Sequence, residues 1–321
     1  MPGLGSQLPD GRLVIAQWSL GEEDHLFGPV VVWDPTTGST EVIDNCVARE
    51  SQLVDGGSVD CDGPVFGWFQ DYQNTLRVKQ NPIVVSADGS YFLAQAHAFG
   101  TERTVRAWDA ETLEVRAEIE IPHSLAVLAA GPSWVVAAHG STGDLAIYDI
   151  GTGAVIGEIP SGAVPLNPTA IALDHVGSAL FVGDVTGRMF AFDTSTWEPI
   201  LEWEAHNAWI RGVGMSADGS RLATAAEDNL VKVWDIENLS GDQPPLLMDR
   251  IPAPKPSDAV WLDSETLAVF PALDARVMVV PLSISALLDE AQRRLTRGFS
   301  PGECATYLID PCPTLEDIRS R

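Results

Sequence analysis

Lysine is nearly missing from this 321-residue chain. Lys79, Lys232 and Lys255 stand alone against 45 Asp and Glu residues, and the formal net charge is −26. That balance argues against a duplex nucleic-acid ligand, whose phosphates need Lys and Arg to displace counterions, and it offers nothing to an anionic lipid surface. The other basic residues are all Arg, a skew typical of GC-rich bacterial genomes. An acidic surface suits solubility or a basic partner. Cysteine is scarce too. Cys46, Cys61, Cys304 and Cys312 are too few and too scattered for a disulfide scaffold, and without a C-x-x-C they give no support to a structural zinc site. The pairs Cys46/Cys61 and Cys304/Cys312 are each close enough in sequence to bridge, but free thiols are the expectation for a cytoplasmic chain. Long apolar runs are absent: none approaches the roughly 18–20 residues needed to cross a bilayer. The stretch Met1-Pro2-Gly3-Leu4-Gly5 lacks the basic and apolar regions of a signal peptide. There is no G-x-S-x-G, no Walker A run and no H-E-x-x-H. A cytoplasmic location, no membrane contact and no cofactor are therefore expected.

What is present is a repeated phrase: β-branched or apolar residues, then an aromatic, then Asp. It reads Val-Val-Val-Trp33-Asp34, Val-Arg-Ala-Trp108-Asp109, Leu-Ala-Ile-Tyr148-Asp149, Met-Phe-Ala-Phe192-Asp193 and Val-Lys-Val-Trp234-Asp235. The aspartates are 75, 40, 44 and 42 residues apart, and 40–45 is the period of four-stranded propeller blades. Turn residues follow each phrase. Asp-Gly turns precede it at Leu8-Pro9-Asp10-Gly11, Ser86-Ala87-Asp88-Gly89 and Ser216-Ala217-Asp218-Gly219. Each unit thus reads as a four-stranded antiparallel sheet. One such sheet cannot bury both faces, so copies must stack around an axis. The fold class expected is all-β.

The segment His206 through Asp235 resembles the WD-repeat family of β-propellers. That resemblance implies a hydrogen-bonded tetrad of His206, Thr224, Asp228 and Trp234, in which a buried indole N–H finds an acceptor and a His–Asp pair ties a loop to a turn. The tetrad is read as structural, not catalytic. Other units depart from it: Thr186 and Thr142 stand where the tetrad has Asp, and no His precedes them at the matching place.

Six repeats are legible, at about 8–46, 81–120, 122–160, 166–202, 208–249 and 256–282, with residues 46–80 as an insert. The first begins at its Asp-Gly turn, so its innermost strand should be weak or missing. The last should lack its outer strand. Two readings follow: a chain that continues upstream of Met1 with an incomplete ring, or a degenerate seventh blade within 47–80. Residues 1–282 are assigned to the propeller and 283–321 to a helical tail. In the tail Ile284, Leu287, Leu288, Ala291 and Leu295 form an amphipathic stripe, with Gly298 as a stop. Ser300-Pro301-Gly302-Glu303 then restarts a helix with a capping box. A cap over the open propeller face is the simplest role for this stripe. The run Ala291–Pro313 also resembles the end of large actinobacterial multidomain proteins, in which a WD-repeat propeller follows a STAND-type NTPase, a kinase or a winged-helix activator domain.

The expected function is a protein-interaction scaffold or sensor module, forming the C-terminal part of a bacterial signalling or regulatory protein with an effector domain linked upstream. The candidate partner surface joins Phe66, Trp68, Phe69 and Tyr72, ringed by Asp55, Asp60, Asp62 and Asp71, with Trp203 and Trp209 approaching the same face. Aromatics among carboxylates suit a basic partner, or else they pack the insert onto the ring. The alternative is a channel-centred, metal-dependent hydrolase using His97, His139 and Asp184 at the ends of second strands. No metal ligand set is expected from their spacing.

Overall fold

In the computed structural model of the chain, the residues described are 4–20, 25–44, 48–49, 83–95, 102–122, 125–139, 143–159, 168–174, 177–216, 218–237, 239, 243–271, 277–294, 297–298, 300–307 and 311–316. They form six antiparallel sheets. The first contains β1 (Leu4–Gln7), β2 (Leu13–Leu20), β3 (His25–Trp33) and β4 (Thr40–Asp44), with a short β5 (Ala48–Arg49) paired to β3. The second is β6 (Ile83–Val85), β7 (Tyr91–Gln95), β8 (Glu102–Asp109) and β9 (Val115–Pro122); the third is β10 (Leu125–Ala130), β11 (Trp134–His139), β12 (Leu145–Asp149) and β13 (Val155–Ile159). The fourth is β14 (Pro168–Leu173), β15 (Ala179–Asp184), β16 (Arg188–Asp193) and β17 (Pro199–Glu204). The fifth is β18 (Ile210–Met215), β19 (Arg221–Ala226), β20 (Leu230–Asp235) and β21 (Leu246–Pro252). The sixth has three strands, β22 (Pro256–Trp261), β23 (Thr266–Pro271) and β24 (Met278–Pro281), followed by α1 (Ile284–Arg294) and α2 (Pro301–Tyr307).

Successive sheets meet through their first strands: β1 touches β6, β6 touches β10, and the series continues through β14 and β18 to β22. This is the packing of a β-propeller, in which alternating residues of each strand face the blade before and the blade after. Thus Leu93, Val105, Ala107 and Ile119 of the second sheet pack with Val135 and Ala137 of the third. Phe92, Ala94 and Trp108, at the other parity, pack with Leu8, Val14, Val30 and Val32 of the first.

The aromatic-Asp phrase ends the third strand, and the Asp closes the turn that follows. Asp34 accepts bonds from the Thr36 hydroxyl at 2.6 Å and backbone N–H at 2.7 Å, and from Thr37 N–H at 3.3 Å. Those donors, the Thr36 hydroxyl first, hold its carboxyl down to about 2. Asp149 uses Thr152 and Asp193 uses Ser195 in the same way. Four residues after the Asp the backbone turns left-handed at Gly38 and Gly153 (φ 73° and 70°), but also at Leu113 and Trp197 (φ 60° in both). A non-glycine residue there costs about 1 kcal/mol, and both gain a contact in exchange. Leu113 is buried in the core shared by the first two blades. Trp197 meets Trp134 of the preceding blade edge-on at 5.0 Å and lies over Gly157, where a Cβ would stand 2.4 Å from its ring.

Three expectations are revised. The innermost strand of the first blade is present: β1 pairs with β2 in register from Leu4↔Ala16 to Gln7↔Leu13. The first and second sheets are neighbours, since β1 and β2 touch β6 directly; the alternative of a degenerate seventh blade within 47–80 falls, but for Ala48–Arg49, outside the described residues. The apolar stripe of α1 is not a cap, since Ile284, Leu287 and Leu288 are 78%, 56% and 55% exposed. Cys304 and Cys312 are joined as a disulfide, whereas Cys46 and Cys61 lie outside the described residues. Among the described residues the last sheet has three strands, in line with the expected lack of an outer one, and Ser300 N–H donates to Glu303 Oε2 at 2.8 Å while Glu303 N–H donates to Ser300 Oγ at 3.3 Å, which is a capping box.

Candidate functional site

Antiparallel connectivity puts the turn between second and third strands, and the segment linking one blade to the next, at the same end of every blade. In the fifth blade that end is held by a chain of side chains. Trp234 Nε1–H donates to Thr224 Oγ1 at 2.9 Å; Thr224 Oγ1 lies 2.8 Å from His206 Nε2, and His206 Nδ1 lies 2.9 Å from Asp228 Oδ2. With Nδ1–H facing the carboxylate, Nε2 is left to accept the Thr224 hydroxyl proton, which frees the Thr224 oxygen for the indole. Each donor then has one acceptor. The order requires a neutral imidazole, and burial pushes the His206 pKa below its usual value despite the opposing pull of Asp228. His206 sits in the link from β17 to β18 and Asp228 in the turn from β19 to β20, so the pair joins the two loop types.

A second tie runs beside it. The Arg211 guanidinium lies 3.6 Å from the centre of the Trp209 ring, and its Nε donates to Glu227 Oε1 at 3.0 Å. Glu227 N–H in turn donates to the Trp209 carbonyl at 2.9 Å. Lys232 Nζ donates to the Ala205 carbonyl at 2.5 Å. Asn229, left-handed at φ 65°, accepts Ala253 N–H on its carbonyl and Lys255 N–H on its side chain, both at 2.9 Å, which extends the tie to the sixth blade.

Of the proposed partner-binding residues, Phe66, Trp68, Phe69 and Tyr72 lie outside the described residues. Trp209 is half-buried at the linking end of the fifth blade. Trp203 is not a surface residue. It is buried edge-on to Trp234, centroids 6.1 Å apart, and its indole N–H has no acceptor among the described residues. The alternative metal-centred reading is not supported where it can be followed. Asp184 is buried and its carboxylate is occupied by Thr186 Oγ1 at 2.8 Å and by the backbone N–H groups of Thr186 and Arg188. His97 lies outside the described residues, and among those described no three His, Cys, Asp or Glu side chains are grouped to hold a metal. Sequence reasoning overlooked Arg211, Glu227, Asn229 and Lys232. Asp228-Asn229 was a legible signal, because Asn tolerates the left-handed turn.

The fold and the tetrad define a β-propeller with a blade of the WD-repeat kind. Residues 197–235 match the family model described as WD domain, G-beta repeat. The chain is 29% identical over 97 residues to Periodic tryptophan protein 2 of Saccharomyces cerevisiae, covering 30% of this chain and 10% of that protein. It is 24% identical over 180 residues to Target of rapamycin complex subunit wat1 of Schizosaccharomyces pombe, covering 54% of each. The chain thus spans between a tenth and about half the length of these curated relatives. A chain in the crystal structure of the mitotic checkpoint complex superposes with a TM-score of 0.60 at 15% identity, covering 88% of this chain and 74% of that one; this likeness concerns the fold.

Proposed function

We propose that this propeller is a protein-interaction platform, that its linking end beside the fifth blade grips a protein partner, and that it serves as the C-terminal part of a bacterial signalling or regulatory protein with an effector domain upstream. The observation that carries the reading is the Trp209–Arg211–Glu227 unit. A half-buried indole, its guanidinium partner and a carboxylate are held in place by the neighbouring tetrad. Preorganised Trp and Arg side chains are the residue types that dominate interface energetics, because little conformational freedom is lost when they dock. The excess of carboxylates favours a basic partner, whose association rate should fall with added salt. Two yeast relatives do not speak to a bacterial context; the tail and the skew of Arg over Lys are what support it.

The test is quantitative capture of the partner by the full chain, Trp209→Ala and the double variant Trp68→Ala/Phe69→Ala. A loss of roughly 30-fold or more in affinity for Trp209→Ala is expected, the size of an interface hot spot. Equal capture by all three proteins would remove the surface assignment.

A further inference from the structure

We propose that the end of the chain is a redox-operated clasp: the Cys304–Cys312 disulfide holds residues 311–316 against α2, and a dithiol reductant releases them. The two cysteines are eight residues apart, with Cα atoms at 5.6 Å. They differ sharply in access, Cys304 being 3% exposed within α2 while Cys312 is exposed on the strand of chain that returns past it. The side-chain hydrogen bonds described around the start of α2 are at the surface. The capping box joins Ser300 to Glu303, and Arg297 makes a two-pronged bond to Glu303, 2.8 Å on each side. The returning chain crosses Gly298 so closely that a Cβ there would lie 2.9 Å from the Leu315 nitrogen. A seven-residue helix does not persist alone in water, and exposed ion pairs add little. The covalent link therefore adds substantially to these contacts in keeping α2 and the returning chain together.

Access fixes the direction of the chemistry. A reductant thiolate reaches Cys312 Sγ, forms a mixed disulfide there and expels the Cys304 thiolate, which takes up a proton. The reductant's second thiol then attacks the mixed disulfide, leaving as a cyclic disulfide and returning Cys312 as a thiol. Two electrons and two protons pass to the protein. Closure runs the other way with glutathione disulfide as oxidant, which departs as two glutathione thiols.

The experiment equilibrates the full chain with defined ratios of reduced and oxidised glutathione, traps thiols with N-ethylmaleimide, and maps linked peptides by mass. A Cys304–Cys312 linked peptide is expected to dominate under oxidising ratios and to vanish with excess dithiothreitol. Free thiols or glutathione adducts at both positions across the whole range would overturn the proposal. Hydrogen exchange supplies the second readout. On reduction, the amides of residues 302–307 should exchange roughly 50- to 100-fold faster, the loop-closure advantage of so short a ring. The variant Cys304→Ala/Cys312→Ala should match the reduced state with or without dithiothreitol. Unchanged exchange in 302–307 on reduction, or oxidised-state protection in the double variant, would contradict it.

Discussion

The fifth and second blades place a tryptophan at the same structural position and secure it by opposite means. Trp234 stands opposite Leu222 and Trp108 opposite Phe92 in the paired strands. Two residues further along, the fifth blade has Thr224 and the second has Ala94, both fully buried. Thr224 starts the hydrogen-bonded chain to His206 and Asp228, whereas Trp108 stacks on Phe92 with centroids 5.7 Å apart. The third and fourth blades follow the apolar pattern, with Ala137 and Val182 at this place and neither exposed at all. A polar network in a dry interior is specific but unforgiving, because each lost member strands the others. An apolar contact tolerates change more evenly. Among the described blades the fifth is accordingly the one whose tryptophan is tied to its loops by a chain of side-chain hydrogen bonds, and the candidate binding end sits on it.

The comparison can be broken at its strongest point first. Trp234→Ala should lower stability by about 3–5 kcal/mol in denaturant unfolding, through the lost indole and the cavity left behind. Next, Thr224→Ala and Ala94→Thr make reciprocal exchanges between the two blades. Both are expected to destabilise, by about 1–3 kcal/mol. The first strands Trp234 Nε1 and His206 Nε2, and the second buries a hydroxyl in an apolar layer. If Ala94→Thr were neutral, the two blades would not differ as described. A smaller effect is expected at the left-handed turn position: Gly153→Ala should cost about 1 kcal/mol from backbone conformation alone. Leu113→Gly relieves that strain but loses buried side chain, and should still lose stability on balance.

The last expectation concerns pH. Burial lowers the His206 pKa in the fold, so on acidification the unfolded chain takes the proton first. Stability from this group is therefore full above its unfolded value of about 6.5 and is lost as pH falls below it. Asp34 and Asp218, both lowered to about 2, act only at more acidic pH. Their contribution is present above the unfolded carboxylate value of 3.8 and disappears as pH falls towards 2. His206→Gln should flatten the unfolding free energy just below about pH 6.5 and leave the more acidic limb in place.

Much of this architecture was legible because its determinants are local. The aromatic-Asp phrase marks a third strand and its turn at once, since the Asp side chain closes the turn that the aromatic precedes. The tetrad was legible because its four members sit at fixed offsets within one repeat. What escaped the sequence depends on partners distant in the chain or on geometry that composition does not record. Leu4-Gly5-Ser6-Gln7 shows no apolar alternation, and β1 exists because its backbone pairs with β2. The stripe from Ile284 to Ala291 predicted the helix correctly, but a hydrophobic period says nothing about which side of a helix is covered. Spacing allowed Cys304 and Cys312 to bridge but favoured nothing over free thiols, and it is the approach of the returning chain to α2 that joins them. Arg211 and Glu227, sixteen residues apart, meet across the β18–β19 hairpin, and no spacing rule announces that contact.

Hydrogen exchange on the wild type and Thr224→Ala tests most directly whether the tetrad pins the fifth blade and its loops. The account predicts that Thr224→Ala accelerates exchange in β19, β20 and the link 205–209 while β11 and β12 of the third blade keep their protection. Unchanged exchange in the fifth blade, or an even loss across all blades, would contradict it.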